Sequence, residues 1–217
     1  SFSQGSANST FTFYQATLVP WLWLLTRTSD CRIYQNMSVP DIIADVFTRF
    51  GFKDFKNRLQ GSFEPREYCV QYRETAFNFV SRLMEEEGIF YFFEHEEQKH
   101  TLVLANNPTE FKPSNLHPAV NYETVVGTEA EDDVITEWAV SAEVRPGKYT
   151  VNDFNFEKPL LDLTASVDGA DARRYEIYDF PGEYATKDAG ERLVGVRIQE
   201  EETPGTVISG AGTCRGF

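Results

Sequence analysis

The sequence predicts an α+β fold in which strands predominate, and three observations carry that prediction: a helix that feeds a hairpin over 74–104, a second capped helix over 38–51, and strand-and-turn composition beyond 118. At about 100° per residue from Glu74, the apolar Ala76, Phe77, Phe79, Val80, Leu83 and Met84 fall in one arc of about 160°. Glu74, Thr75, Asn78, Ser81, Arg82, Glu85 and Glu86 fill the opposite arc. Gly88 follows the last periodic residue, where a left-handed φ ends a helix without a Cβ clash. Residues 89–94 then turn β-branched and aromatic, a polar cluster occupies 96–99, and 101–104 resumes as apolar chain, which reads as a hairpin.

Taken in order, residues 1–9 are small and polar and read as a loop or ragged terminus. From Thr10 the chain alternates and then runs apolar through Trp21, Trp23 and Leu25, a strand signature with Pro20 at an edge or bend, and two tryptophans there point to deep packing. The helix over 38–51 has Ser38 as N-cap, Pro40 in its first turn, Asp41 near its positive end and Gly51 as its stop, with Val39, Ile42, Ile43, Val46, Phe47 and Phe50 on one face. Residues 52–65 read as loop with a short strand, followed by an extended stretch over 68–72. At the end of the central helix Glu85, Glu86 and Glu87 crowd the negative end of the dipole, an arrangement disfavoured by about 0.3–1 kcal/mol per exposed anion. Arg82 reaches Glu85 and Glu86 at helical spacing; beyond that, either the end is solvated or basic groups from elsewhere in the assembly meet it.

Residues 106–118, rich in Asn and Pro, form the best linker candidate. Residues 134–144 alternate, Pro146-Gly147 turns the chain, and 148–156 alternates again, which reads as a hairpin. Extended runs follow at 163–167 and 175–180, the second closed by Pro181-Gly182. The stretch 185–202 is ambiguous: Val194, Val196 and Ile198 fit a period of two, whereas Ala189, Leu193 and Val196 fit a helical face weakened by Gly190 and Gly195. A strand-like Thr206-Val207-Ile208 lies near the end.

A net charge of −14 argues against a broad phosphate-binding surface, so no nucleic-acid partner is expected. No apolar run approaches the roughly 18–20 residues of a membrane span and no charged-then-apolar leader opens the chain, so neither stable membrane insertion nor signal-peptide export is expected. Cys31, Cys69 and Cys214 are far apart, which fits reduced thiols and folding in the cytoplasm. His95 and His100 flank an acidic turn near the spelling H-E-x-x-H, but five residues apart on a hairpin instead of four on a helix face. Carboxylate pairs such as Asp179 with Glu183, or Glu129, Glu131, Asp132 and Asp133, invite an acid–base reading, yet 34 acidic residues produce such pairs by chance. No residue is therefore assigned a catalytic, cofactor-binding or metal-ligating role, no cofactor is expected, and the chain is not expected to be an enzyme.

The stretch 77–106, FNFVSRLMEEEGIFYFFEHEEQKHTLVLAN, resembles the central block of VgrG, the spike protein of type VI secretion systems, related to the hub of contractile phage tails. Pro20-Trp21-Leu22-Trp23-Leu24-Leu25 with Cys31-Arg32-Ile33-Tyr34-Gln35, the helix at 39–46, and Tyr178-Asp179-Phe180-Pro181-Gly182-Glu183-Tyr184 with Gly190-Glu191-Arg192 match in the same order. The resemblance implies a phage tail hub-like fold: the remaining strands of a first barrel-like domain at 1–36, a helix-plus-hairpin unit at 37–110, and a second barrel-like β-domain at 111–217. It favours a helix for 185–202. It also implies a homotrimer that docks on the Hcp tube, carries effector or adaptor proteins, and is secreted or injected by the type VI apparatus. Set against a full-length member, the chain looks like a piece that starts late in the first barrel-like domain and stops before an OB-fold and needle. The equivalent hub of a phage or pyocin-like particle is the alternative, and a carboxylate-dependent glycan hydrolase a distant one.

Overall fold

A computed structural model describes residues 1–7, 10–113, 119–123, 133–170 and 175–213, and the chain divides into two units, Ser1–Glu110 and Phe111–Phe217.

The first unit opens with a ribbon of two antiparallel strands, β1 (Phe2–Ala7) and β2 (Thr12–Ala16). The ragged-terminus reading of 1–9 is thus corrected over Phe2–Ala7. Backbone pairing with β2 orders this segment, and because its side chains are all exposed it shows no apolar period. Trp21–Arg27 is a 3-10 segment, not the strand that its apolar run suggested. Leu22 and Leu25, three apart, turn into the core while Trp23 and Leu24 face out, a spacing of three that no strand has. Only one tryptophan packs deeply: Trp21 stacks on Phe52 at 4.5 Å and meets Phe47 edge-on at 4.9 Å.

β3 (Asp30–Tyr34) pairs with β5 (Cys69–Glu74), and β4 (Phe55–Asn57), β6 (Phe90–Glu96) and β7 (Lys99–Ala105) form a sheet with β7 central. α1 (Val39–Arg49) is capped by Ser38, whose hydroxyl accepts from the Asp41 amide. α2 (Ala76–Glu86) is capped by Thr75, and Gly88 takes φ 66 just beyond it. Val39, Ile42, Ile43 and Phe47 of α1 share one core with Phe79, Val80 and Leu83 of α2, Leu25, and Leu102 and Leu104 of β7. Each helix burying about five apolar side chains at roughly 1.5–3 kcal/mol apiece is the main stabilising term of this unit.

The second unit holds two sheets: β8 (Asn121–Tyr122), β9 (Val134–Ala142) and β13 (Thr206–Thr213) with β9 central, and β10 (Lys148–Val151), β11 (Ala165–Asp168) and β12 (Glu176–Asp179) with β10 central. The hairpin expected across Pro146-Gly147 is corrected: β9 takes β13 as its antiparallel partner, and β10 pairs with β11 and β12. Gly147 joins the second sheet, donating to the Tyr175 carbonyl at 2.9 Å and accepting from the Gly169 amide at 2.9 Å, so the chain leaves β9 for a different sheet instead of folding back.

The ambiguous stretch is a helix, α3 (Lys187–Glu202), whose buried stripe is one residue wide, Gly190, Val194 and Ile198. That narrowness is why neither period stood out. Val194 and Ile198 cover Tyr149, Val151 and Ala165. The fold class is α+β, mostly β, and the described strands lie in sheets of two or three, none of which closes into a barrel.

Candidate functional site

The residues that invited a chemical reading fall in several places of the chain, and some lie outside the described residues. His95 and His100 face each other across β6 and β7 with ring centroids 6.1 Å apart, and the Trp21 amide donates to His100 Nε2 at 3.0 Å. His100 therefore carries its proton on Nδ1 and ties the start of the 3-10 segment to the hairpin. Among the described residues no three His, Cys, Asp or Glu side chains are grouped to hold a metal ion. Cys69 is buried, which pushes its thiol pKa up, and Cys31 is exposed; Cys214 lies outside the described residues. Glu129, Glu131 and Asp132 also lie outside them, so only Asp133 of that group has a place.

Asp179 and Glu183 belong to a turn built around Tyr184. Asp179 accepts from the Phe180 amide at 2.9 Å, and Asp153 Oδ2 accepts from the amides of Glu183 at 2.6 Å and Tyr184 at 3.3 Å. The Tyr184 hydroxyl lies 2.6 Å from the Leu163 carbonyl and 3.2 Å from that of Val151. Its ring lies between two glycines: a Cβ on Gly182 would stand 2.3 Å from it and one on Gly190 2.6 Å. The spacing Gly-Glu-Tyr followed by Gly190 is thus a packing device that docks α3 on its sheet.

The acidic end of α2 is met from within the chain. Arg66 donates to Glu86 at 2.5 Å and to Glu87 at 3.0 Å, while Arg82 turns toward Glu74 at 2.8 Å and the Val70 carbonyl at 2.6 Å and stays 3.7 Å from Glu86. Sequence reasoning missed Arg66, because a loop residue about twenty positions away leaves no local signal. Lys56 at 2.8 Å and Arg58 at 2.6 Å hold the Glu94 carboxyl below its ordinary pKa.

What stands out is uncovered apolar surface. On the ribbon Phe2, Phe13 and Tyr14 are exposed. On β9 and β13, Val140 faces Ile208 across the strands with Trp138 two residues on, all exposed. A shallow groove of about 320 Å³ runs along Val134, Ile135, Gly210, Ala211 and Gly212 beside Val120 and Asp133. On β3 and β5, Ile33, Tyr68 and Tyr72 are exposed while Gln71 points inward. The alternation Tyr68-Cys69-Val70-Gln71-Tyr72 contained that signal, with its larger apolar residues on the outward phase. No helix of the described residues is long and apolar enough to cross a membrane, which leaves β-barrel spans unaddressed.

Comparison with known proteins puts the chain in the class of tail-hub proteins. A family model described as the phage tail baseplate hub (GPD) matches residues 1–217, and the chain belongs to that family. The type VI secretion system spike protein VgrG1c of Pseudomonas aeruginosa is 45% identical over 219 residues, covering 99% of this chain and 30% of the relative. The actin cross-linking toxin VgrG1 of Vibrio cholerae is 32% identical, covering 91% of this chain and 18% of its own length. The chain thus spans about three tenths of the first of these relatives and less of the second. Among solved structures, the c3393 protein of E. coli, a type VI secretion component similar in structure to the T4 tail proteins gp27 and gp5, matches with a TM-score of 0.55 at 23% identity, covering 66% of this chain and 38% of its own. A tail protein from Neisseria meningitidis MC58 matches with a TM-score of 0.59 at 11% identity, covering 96% and 60%. At such identities these two likenesses speak to fold alone.

Proposed function

We propose that this chain is the hub portion of a type VI secretion spike, a structural module that assembles as a trimer on the Hcp tube and delivers effector or adaptor proteins by puncture, without chemistry of its own. The observation that carries the reading is the 45% identity to a type VI spike protein across 99% of the chain. The uncovered faces of the ribbon and of β9 and β13 support it, since apolar surface of this kind calls for partners. In this reading 1–36 belong to a first barrel-like domain, 37–110 to the helix-plus-hairpin unit and 111–217 to a second barrel-like domain. The protein is made in the bacterial cytoplasm and leaves through the type VI apparatus. The toxin among the relatives is compatible, because the shared segment is only 18% of that protein. The test is to purify the polypeptide as its gene encodes it, weigh it by light scattering and mix it with Hcp rings. A trimer that caps the rings is expected. A monomer indifferent to Hcp, or a hydrolytic activity lost on Asp179→Asn or Glu183→Gln, overturns the reading.

A second reading, the hub of a phage or pyocin-like particle, is favoured by the family's own description. Recovery of the protein from purified tailed particles, and not from culture medium in a sheath-dependent way, would select it.

A further inference from the structure

Trp21 is where the chain first enters a core. Among the described residues before it every side chain is exposed, from β1 and β2 through Leu18, Val19 and Pro20, whereas Trp21, Leu22 and Leu25 are buried. The ribbon closes on itself at its base, where the Thr17 amide donates to the Ser1 carbonyl at 2.8 Å. The chain then anchors at Trp21 by two contacts. The indole packs on Phe52 and Phe47, and the backbone amide donates to His100 Nε2 at 3.0 Å, 79 residues away.

The acceptor of that hydrogen bond titrates. Histidine takes up a proton between about pH 5 and 8, and an imidazolium has two N–H donors and no acceptor. A proton on Nε2 points a donor at the Trp21 amide, itself a donor. His95 adds to the conflict: it lies directly across β6 and β7 with ring centroids 6.1 Å apart, and like charges directly opposite on a strand pair are destabilising. Phe93, whose ring lies 5.5 Å from that of His100, offers no charge. The charged groups of the surrounding elements are engaged elsewhere. On the hairpin Glu96 pairs with Lys99 at 3.8 Å, Glu94 is held by Lys56 and Arg58 on the other side-chain phase, and Glu97 lies in the turn. On α1, which meets Trp21 through Phe47, Asp45 pairs with Arg49; next to Phe52, Lys53 and Asp54 are exposed. The 3-10 segment and all that precedes it offer one charged side chain, Arg27, whose guanidinium lies 4.1 Å over Trp23. Among the described residues no carboxylate pairs with either imidazole.

We infer that the Trp21–His100 hydrogen bond is a pH-sensitive pin for the ribbon. With His100 neutral, the start of the 3-10 segment is fastened to the hairpin. With His100 protonated, residues 17–20 come loose and the ribbon moves with them, while Leu22 and Leu25 keep the rest of the segment in the core. The sign follows from the neutral form being the one that bonds: the pin holds above the histidine range and is lost as pH falls through it. Phe2, Phe13 and Tyr14 travel on the ribbon, so the pin governs how that apolar surface is presented. The device belongs to the first unit alone and stands whether or not the chain assembles.

Amide hydrogen exchange on the polypeptide as its gene encodes it, corrected for the intrinsic pH dependence of exchange, reads the pin at the Trp21 amide. Protection there is expected to fall about tenfold between about pH 7.5 and 5.5, while the amides of Leu102 and Leu104 keep theirs. Exchange at the imidazole carbon of His100, followed by mass spectrometry over the same range, gives its titration in the native chain, and the two midpoints should coincide. His100→Gln keeps an acceptor that does not titrate, so its Trp21 protection should be flat with pH, whereas His95→Gln should keep the step. Three results overturn the inference: Trp21 protection that ignores pH, a midpoint apart from that of His100, or a step that survives His100→Gln. An equal loss at Leu102 and Leu104 overturns it as well, since that marks a general loosening of the unit.

Discussion

Tyr184 shows how much of this fold hangs on single contacts. Its ring fills the space that two missing Cβ atoms leave, and its hydroxyl reaches two carbonyls of neighbouring segments. Gly190→Ala puts a methyl 2.6 Å from the ring, against which Tyr184 has Gly182 behind it, so a loss of about 1–3 kcal/mol is expected in urea unfolding. Tyr184→Phe keeps the ring and removes the hydroxyl, at a cost of about 1 kcal/mol by the same measurement. Ser38→Ala should cost a similar amount, about 1 kcal/mol, because the Asp41 amide loses its acceptor at the start of α1. The cap and the stop glycines were legible in the sequence, since their signals are local. The clamp was not, because its three residues acquire meaning only when α3 lies on its sheet.

At the scale of elements, the hairpin of β6 and β7 joins the unit through polar contacts as well as its core. The Trp21 amide needs His100 as acceptor, so His100→Ala leaves a part-buried donor unpaired, and a loss of about 1–3 kcal/mol in thermal or urea unfolding is expected. Lys56 and Arg58 reach across to Glu94 and hold its pKa below the ordinary 4.5. A carboxyl depressed in the folded state contributes its stability above the unfolded pKa and loses it as pH falls through the folded one. The melting-temperature advantage of the native chain over Glu94→Gln should therefore be full at pH 7 and shrink as pH falls below about 4.5. The element-scale errors of sequence reading have physical causes. A 3-10 segment with spacing of three looks like a strand when Trp21 to Leu25 are all apolar, and a nine-residue strand whose partners are 64 to 79 residues away looks like half of the nearest hairpin.

For the whole molecule, the uncovered apolar faces separate stability from assembly. Trp138 and Val140 sit exposed on β9, so replacing both by Ser should change the unfolding free energy of the chain by no more than about 0.5 kcal/mol per site. If the proposed assembly holds, the same double variant should lower self-association or docking in sedimentation velocity, since exposed apolar side chains are the usual contacts of such surfaces.

By itself the sequence determined the class α+β, both helices with the Ser38 cap of the first, the hairpin that follows α2 and the family, because amphipathic period, cap and stop glycines act within a few residues of each other. Only the tertiary structure decided which strands pair, that Arg66 answers the glutamates of α2, that Tyr184 locks α3, and that β3 and β5 turn an apolar face outward. Those outcomes depend on groups distant along the chain meeting in space, and such meetings are settled by packing and by the pairing of buried polar groups, neither of which leaves a mark in any short window of residues.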